Sequence, residues 1–233
     1  NFRAIPWLVF SEICPKGGFS CFEKNAFESV SYTKSNIYAD NFSRETAIKL
    51  VLEFAGDSVL ISTTGKASRE LHELRNQIRS EQRDFLTVGG MGHASSIAFG
   101  VALTSRDRKV ICLDGDGSVL MHMGALPVIA SYNCTNFKHI VLNNSSHESV
   151  GGQPTIASKI DFNGLSLACG YSQYYCARTE NDIRALWDEF LHSKGPSFLE
   201  IKISTLSRDN LGRPNTIPVE NKREFMDYLH SNK

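Results

Sequence analysis

The sequence predicts an α/β fold, a three-layer α/β/α arrangement built on a mostly parallel sheet. Two observations carry this reading. From Ser43 onward, short apolar runs alternate with amphipathic segments of about ten to fifteen residues, the pattern of βαβ units. Several of those runs end in turn-forming residues, as VICLDGDG and HIVLNN do, which marks strand ends rather than buried helices.

Taken in order, residues 1–42 are irregular. IPWLVF is followed by KGGFSCFEKNAFESVSYTKSN, which reads as the end of a preceding domain and a linker, leaving 43–233 as one domain. SRETAIKLVLEFAG predicts a helix with Ser43 as N-cap and Gly56 as stop. DSVLIS is a strand ending in TTG, KASRELHELRNQIRS a polar helix, and DFLTV a strand ending in GGMG. HASSIAFGVALTS is a helix whose small residues permit close packing, and DRKVICLDGDG is a strand with its tip. SVLMHMGALPVIASY predicts one helix, and KHIVLNN the next strand. SQYYCA and PSFLEIKIS are strands flanking the helix ENDIRALWDEFLHS, and VENKREFMDYLHSN is a terminal helix.

Composition excludes several classes. Lys+Arg and Asp+Glu are both 25 in 233 residues, so there is no basic surface for nucleic acid or an anionic membrane. No apolar run approaches the roughly 18 residues of a membrane span, and the start lacks the pattern of a signal peptide. Six scattered cysteines with no CxxC pair read as reduced thiols of a cytoplasmic protein. The chain begins with Asn1 rather than Met, which points to a fragment or a processed chain.

The chemistry sits at the strand ends, where ligands bind in a parallel sheet. VICL runs into Asp114-Gly115-Asp116-Gly117, and HIVL into Asn143-Asn144. A single crossover between them brings both tips to the same edge, side by side or one strand apart. That edge offers a carboxylate, a carboxamide and loop carbonyls, hard oxygens suited to Mg²⁺ or Ca²⁺ rather than zinc. Three protein oxygens leave octahedral magnesium open positions that phosphate and water fill. Gly115 and Gly117 let the backbone approach a diphosphate, and Ser118 opens a helix whose N–H groups favour an anion.

GDG, 25 residues, then NN resembles the signature of the thiamine-diphosphate (ThDP) dependent decarboxylases. The resemblance implies that Asp116 and Asn144 are metal-binding side chains and that the Ser146 carbonyl is the third ligand. GGMGHASSIAFGVAL resembles the family's pyrimidine-side loop, in which Met91 supports the bent cofactor and the backbones of Gly89 and Met91 bond the aminopyrimidine. STTGKASREL resembles the segment that places a threonine near the phosphates, Thr64 or Thr63. Together with LNNSSHESVGGQPT and SRDNLGRPNTIPVENKREFM, these stretches resemble phosphonopyruvate decarboxylase and, next, sulfopyruvate decarboxylase, as their C-terminal, diphosphate-binding part. Ser145-Ser146 stands where the family often has a small pair such as Gly-Ala.

The resemblance implies decarboxylation of a 2-oxo acid bearing a second anion, with ThDP and Mg²⁺ as cofactors and the site shared with a pyrimidine-binding (PYR) domain or subunit. It also implies at least a dimer, and a homo-oligomer is expected. His147 and Glu148, directly after the metal loop, and His93 are candidates for proton handling or for the substrate's anionic end. Arg208 and Arg213 could pair with a phosphonate, but arginines among turn residues are more often solvated, and they are left out of the candidate site. The PYR domain's activating glutamate has no credible counterpart in Glu12 or Glu23, so the chain alone is expected to be inactive. Two alternatives remain open. One is a Rossmann nicotinamide dehydrogenase, although Gly90-Met91-Gly92-His93-Ala94-Ser95 has Ser where the third glycine belongs. The other is a non-catalytic ThDP-binding module.

Overall fold

The computed structural model describes residues 42–231 except Ser80 and Leu206. The expected domain end and linker at 1–42 therefore lies outside the described residues but for Phe42. That residue is buried, and its carbonyl accepts the Ser204 N–H at 2.9 Å.

Six strands form one sheet in which every pairing is parallel. In spatial order they are β2 (Asp84–Leu86), β1 (Val59–Ser62), β3 (Val110–Gly115), β4 (Phe137–Asn143), β8 (Ser197–Lys202) and β7 (Gln173–Ala177). The inner strands are apolar along most of their length because helices cover both faces. Successive side chains enter opposite layers. Leu60, Ile111 and Ile140 pack with α1 (Arg44–Phe54), α2 (Lys66–Gln77) and α7 (Glu180–His192). Ile61, Cys112 and Val141 pack with α3 (Ala94–Thr104), α5 (Ala125–Ser131), α6 (Phe162–Ala168) and α8 (Pro218–Ser231). The three-layer expectation holds.

Local signals set the element ends. The Ser43 hydroxyl accepts the Thr46 N–H at 3.0 Å and caps α1. Thr179 and Asp182 form a reciprocal capping box on α7. The single helix expected over SVLMHMGALPVIASY is two: α4 (Asp116–Met121) and α5, broken at His122–Gly124. Pro127 supplies the reason. In a continuous helix it would lack the N–H for the Met123 carbonyl and clash with it; in the first turn of α5 no such bond is required. The helix also begins two residues earlier than expected, at Asp116 rather than Ser118. Two further elements were not expected, α6 and the antiparallel hairpin β5 (Ser146–His147) with β6 (Gln153–Pro154).

Edge strand β2 is covered from outside. Asn221 of α8 accepts the Leu86 N–H at 2.9 Å and donates to the Asp84 carbonyl at 3.0 Å, in place of a neighbouring strand. Its other side is held by a buried ion pair, Arg75 on Asp84, with two contacts of 2.8 Å. Of the cysteines, Cys112, Cys134, Cys169 and Cys176 are free thiols; Cys14 and Cys21 lie outside the described residues.

The sheet order fixes where a ligand can enter. The chain leaves β1 towards β2 on one side and leaves β3 towards β4 on the other. Between the carboxyl ends of β1 and β3 the connections diverge, which opens a crevice at that point.

Candidate active site

A cleft partly open to solvent lies at that crevice. Its walls are the ends of β1 (Thr63, Thr64), β3 with α4 (Asp114 to Ser118) and β4 with its hairpin (Asn144, Ser146 to Ser149). Met91 enters from the loop before α3, and Arg44 and Lys66 come from the first turns of α1 and α2. Nearly all the sequence-predicted site residues thus line one cleft. Gly89 does not; it is exposed, with φ 69°, on the loop that leads to Met91.

β3 and β4 are direct neighbours, with Gly115 in register with Leu142, so Asp116 and Asn144 follow adjacent strand ends. Asp116 is 2% exposed. Its carboxylate accepts the Thr155 hydroxyl and the backbone N–H groups of Asp116 itself, Asn144 and Gly117. Those donors are all neutral. Burial pushes the carboxyl up to about 6 against their combined pull, so the anion lacks a cation to offset its desolvation. Asn144 turns its carboxamide oxygen onto the Ser146 N–H at 3.0 Å and donates to Glu148 at 3.1 Å.

The two asparagines divide their work. Asn143 points away from the cleft, donating to Glu200 at 2.7 Å while accepting the Ser145 N–H at 3.0 Å. That turn leaves Ser145 at φ 53°. Across the crevice, the hydroxyls of Thr63 and Ser118 lie 2.9 Å apart, and Ser118 also accepts the Gly92 N–H at 3.0 Å. The loops after β1 and β2 are thereby tied to α4, which follows β3. Thr63 is used in that link, whereas Thr64 is the less buried of the two on the cleft wall.

A charged group closes the other end. Glu148 contacts Arg44 at 2.7 Å and Lys66 at 2.8 Å, and Arg44 forks onto Glu70 at 2.7 and 2.9 Å. Burial pushes Glu148 up, but Arg44 and Lys66 outweigh it and hold the carboxyl below the usual range. Glu148 is therefore an ionised anchor with both oxygens engaged. His147 packs its ring on Gly117: a Cβ there would sit 2.6 Å from the His147 Cε1. Arg208 is not free for a phosphonate, because its guanidinium bonds Glu45 at 2.9 Å and also Glu73. Arg213 is exposed and not among the cleft residues.

Arg44, Lys66 and Thr155 were missed from sequence. Lys66 follows directly on the Thr63-Thr64-Gly65 turn and could have been found from it; Arg44 and Thr155 reach the site only through tertiary packing. Below the cleft floor, on the α3 side of the sheet, His139 Nε2 faces Asp114 Oδ2 at 3.6 Å while its Nδ1 pairs with the Tyr171 hydroxyl at 3.0 Å.

Residues 63–201 match the thiamine pyrophosphate enzymes at their C-terminal TPP binding domain, a span that contains Thr63, Asp116, Asn144 and Glu148. The chain belongs to this family. It is 36% identical over 201 residues to the phosphonopyruvate decarboxylase of Streptomyces viridochromogenes, covering 86% of this chain and 49% of that one. It is 31% identical over 187 residues to sulfopyruvate decarboxylase subunit beta of Methanococcus maripaludis, covering 80% and 97%. The chain thus spans about half the length of the phosphonopyruvate decarboxylases it matches. A solved thiamin diphosphate-dependent enzyme of Mycobacterium smegmatis shares the fold, with TM-score 0.58 at 18% identity over 70% of this chain and 32% of its own. Family membership removes the dehydrogenase alternative.

The TPP binding domain takes ThDP, with Mg²⁺ as the usual metal of its diphosphate, and the residues fit that pair. The buried Asp116 carboxylate lacks a cationic donor, the surrounding donors are hard oxygens, and a Cβ built on Gly115 would meet nothing within 4 Å. The strand end is therefore bare backbone beside the cleft.

Proposed function

We propose that this domain is the diphosphate- and Mg²⁺-holding half of a ThDP-dependent 2-oxo acid decarboxylase, acting on 3-phosphonopyruvate to give phosphonoacetaldehyde and CO₂. The observation that carries this reading is the placing of Asp116 and Asn144 at adjacent strand ends beside the β1/β3 crevice. When bound, the cofactor supplies the thiazolium electron sink for decarboxylation.

The chain's own residues do the rest. Asp116, Asn144 and the Ser146 carbonyl hold the metal. Thr64, Gly115, Gly117 and Ser118 receive the diphosphate, and Met91 with the Gly89 backbone supports the far end of the cofactor. His147, on the cleft wall, holds a proton at an imidazole nitrogen for exchange with the reacting substrate. Ionised Glu148 fixes Arg44 and Lys66 beside it. A PYR-type domain or subunit completes the site, in a homo-oligomer of the whole enzyme. Free thiols at the described cysteines support a cytoplasmic location.

One observation favours a second substrate. The chain covers 97% of a sulfopyruvate decarboxylase beta subunit, which supports a separate-subunit arrangement and 3-sulfopyruvate. The test is CO₂ release from 3-phosphonopyruvate and from 3-sulfopyruvate by this chain combined with a PYR-type half, with Mg²⁺ and ThDP. Turnover of the phosphonate at the higher kcat/KM supports the first reading, and of the sulfonate the second. Turnover of neither overturns both, and turnover by this chain alone overturns the half-site.

A further inference from the structure

Beside the loop that carries Met91 two imidazoles stack. The rings of His93 and His122 have centroids 4.1 Å apart, with 35° between their planes. Both residues are exposed. Their positions come from two different breaks in the chain: His93 precedes α3, and His122 ends α4 at the kink that Pro127 imposes.

The pair is built against the loop that carries Met91. A Cβ on Gly92 would lie 2.2 Å from the His122 Cδ2, and one on Gly90 would lie 3.5 Å from the His93 Cδ2. Glycine at 92 is thus what allows the His122 ring to close over the loop, whereas a Cβ at 90 would only touch the His93 ring. The Gly92 N–H bond to Ser118 fixes the loop relative to α4, and so fixes one ring relative to the other. Neither imidazole makes a hydrogen bond or ion pair to a described residue. Neither belongs to the wall of the diphosphate cleft, although Met91, between Gly90 and Gly92, does.

Two close imidazoles whose ring nitrogens bond no described residue can aim N–H donors at one group held against both. A group with several oxygens and two negative charges suits them better than a single carboxylate, because it can accept from both rings at once.

We propose that His93 and His122 form the seat for the second anion of the substrate, a tetrahedral phosphonate dianion, apart from the metal-diphosphate seat. The proposal rests on the decarboxylase reading above, and it supplies the anion recognition that Arg208, engaged by Glu45 and Glu73, does not. A sulfonate monoanion has the same shape with less charge and binds the pair less tightly. Inorganic phosphate shares the chemistry but lacks the link to the reacting carbon.

The test uses the assembled holoenzyme and the variants His93→Ala, His122→Ala and the double variant. Steady-state kinetics on 3-phosphonopyruvate is expected to show KM raised at least tenfold in each single variant. The double variant is expected to cost less than the product of the two, because the rings act as one seat. Affinity for ThDP with Mg²⁺ is expected to stay within twofold. KM values within twofold of wild type, with the wild type active, overturn the proposal and leave the decarboxylase reading intact. If the wild type does not consume 3-phosphonopyruvate, the substrate reading has failed and a second arm decides the seat. Phosphonoacetate, sulfoacetate, inorganic phosphate and Zn²⁺ are titrated separately while the ring proton resonances of His93 and His122 are followed. Saturable shifts of both rings with phosphonoacetate, weaker with sulfoacetate and with phosphate, support it. Shifts with Zn²⁺ alone, with phosphate as strongly as with phosphonoacetate, or with none of the four, overturn it.

Discussion

Thr155 donates its hydroxyl to the carboxylate of Asp116, 39 residues earlier in the chain, and both side chains are buried. The bond joins the hairpin after β4 to the tip of β3 and aims one carboxylate oxygen. Thr155→Val keeps the shape and removes the donor. Partners that orient a metal ligand typically contribute 10- to 100-fold to metal affinity. Mg²⁺ titration at saturating ThDP, followed by thermal shift, is expected to show roughly tenfold weaker metal dependence.

Asp116→Ala removes the carboxylate itself. A ligand that binds only the folded state raises stability by about 2.7 kcal/mol at a hundredfold excess over Kd. Wild type is expected to show an upward shift in melting temperature with ThDP plus Mg²⁺ that EDTA abolishes. Asp116→Ala is expected to show none; a full shift in that variant would remove Asp116 from the metal site.

Gly117→Ala tests the close packing of His147. The new Cβ would meet the His147 Cε1 at 2.6 Å and Nδ1 at 2.9 Å, so the ring must move. Because a side-chain ring can swing aside, the stability loss is expected to be at the low end of overpacking, about 1 kcal/mol. The loss of kcat in the assembled enzyme is expected to be larger in proportion. Chemical denaturation and kinetics on the same preparation separate the two.

Asp84→Ala breaks the buried pair with Arg75 and leaves its guanidinium without that carboxylate. Removing one partner of such a pair costs about 3–5 kcal/mol. Urea denaturation is expected to show a loss of that size, and α2 and β2 are expected to lose amide-exchange protection first.

Lys138 gives a pH dependence far from the site. Its ammonium is buried among the Ser193 and Gly195 carbonyls and the Ser193 and Ser197 hydroxyls. Burial, then the neighbouring Lys109, lowers its pKa from 10.5 to about 7. Between those two values the unfolded chain holds the proton and the folded chain releases it, so this group makes stability rise with pH across that window. The urea midpoint of wild type minus that of Lys138→Met is expected to increase from pH 7 to 10. A flat or falling difference would mean that the folded lysine stays charged.

Much of the site was legible in the sequence because its chemistry is carried by residues next to strand ends. Asp116 and Asn144 follow runs whose apolar character already marks them as strands, and a single crossover puts both at one edge. Arg44 and Thr155 were not legible: each looks like an ordinary helix or turn residue, and their roles arise from packing across 104 and 39 positions of chain. The kink at His122 was hidden because the apolar pattern of SVLMHMGALPVIASY suits one helix, and only the missing Pro127 N–H forces two. Arg208, left out of the candidate site, is a third case. An arginine among turn residues looks available, yet Glu45 and Glu73 on neighbouring helices engage it.

By itself the sequence determined the α/β alternation, the parallel sheet and the edge on which Asp116 and Asn144 lie. These follow from periodicity, caps and turn residues, which act over a few positions and can be read locally. Only the tertiary structure decided that β3 and β4 are immediate neighbours, that Asn143 faces Glu200 while Asn144 faces the cleft, and that Glu148 is tied to two cations. It also brought His93 and His122 together across 29 positions of chain. Such pairings depend on strand order and on which face each residue turns to, and a one-residue shift of register would reverse them.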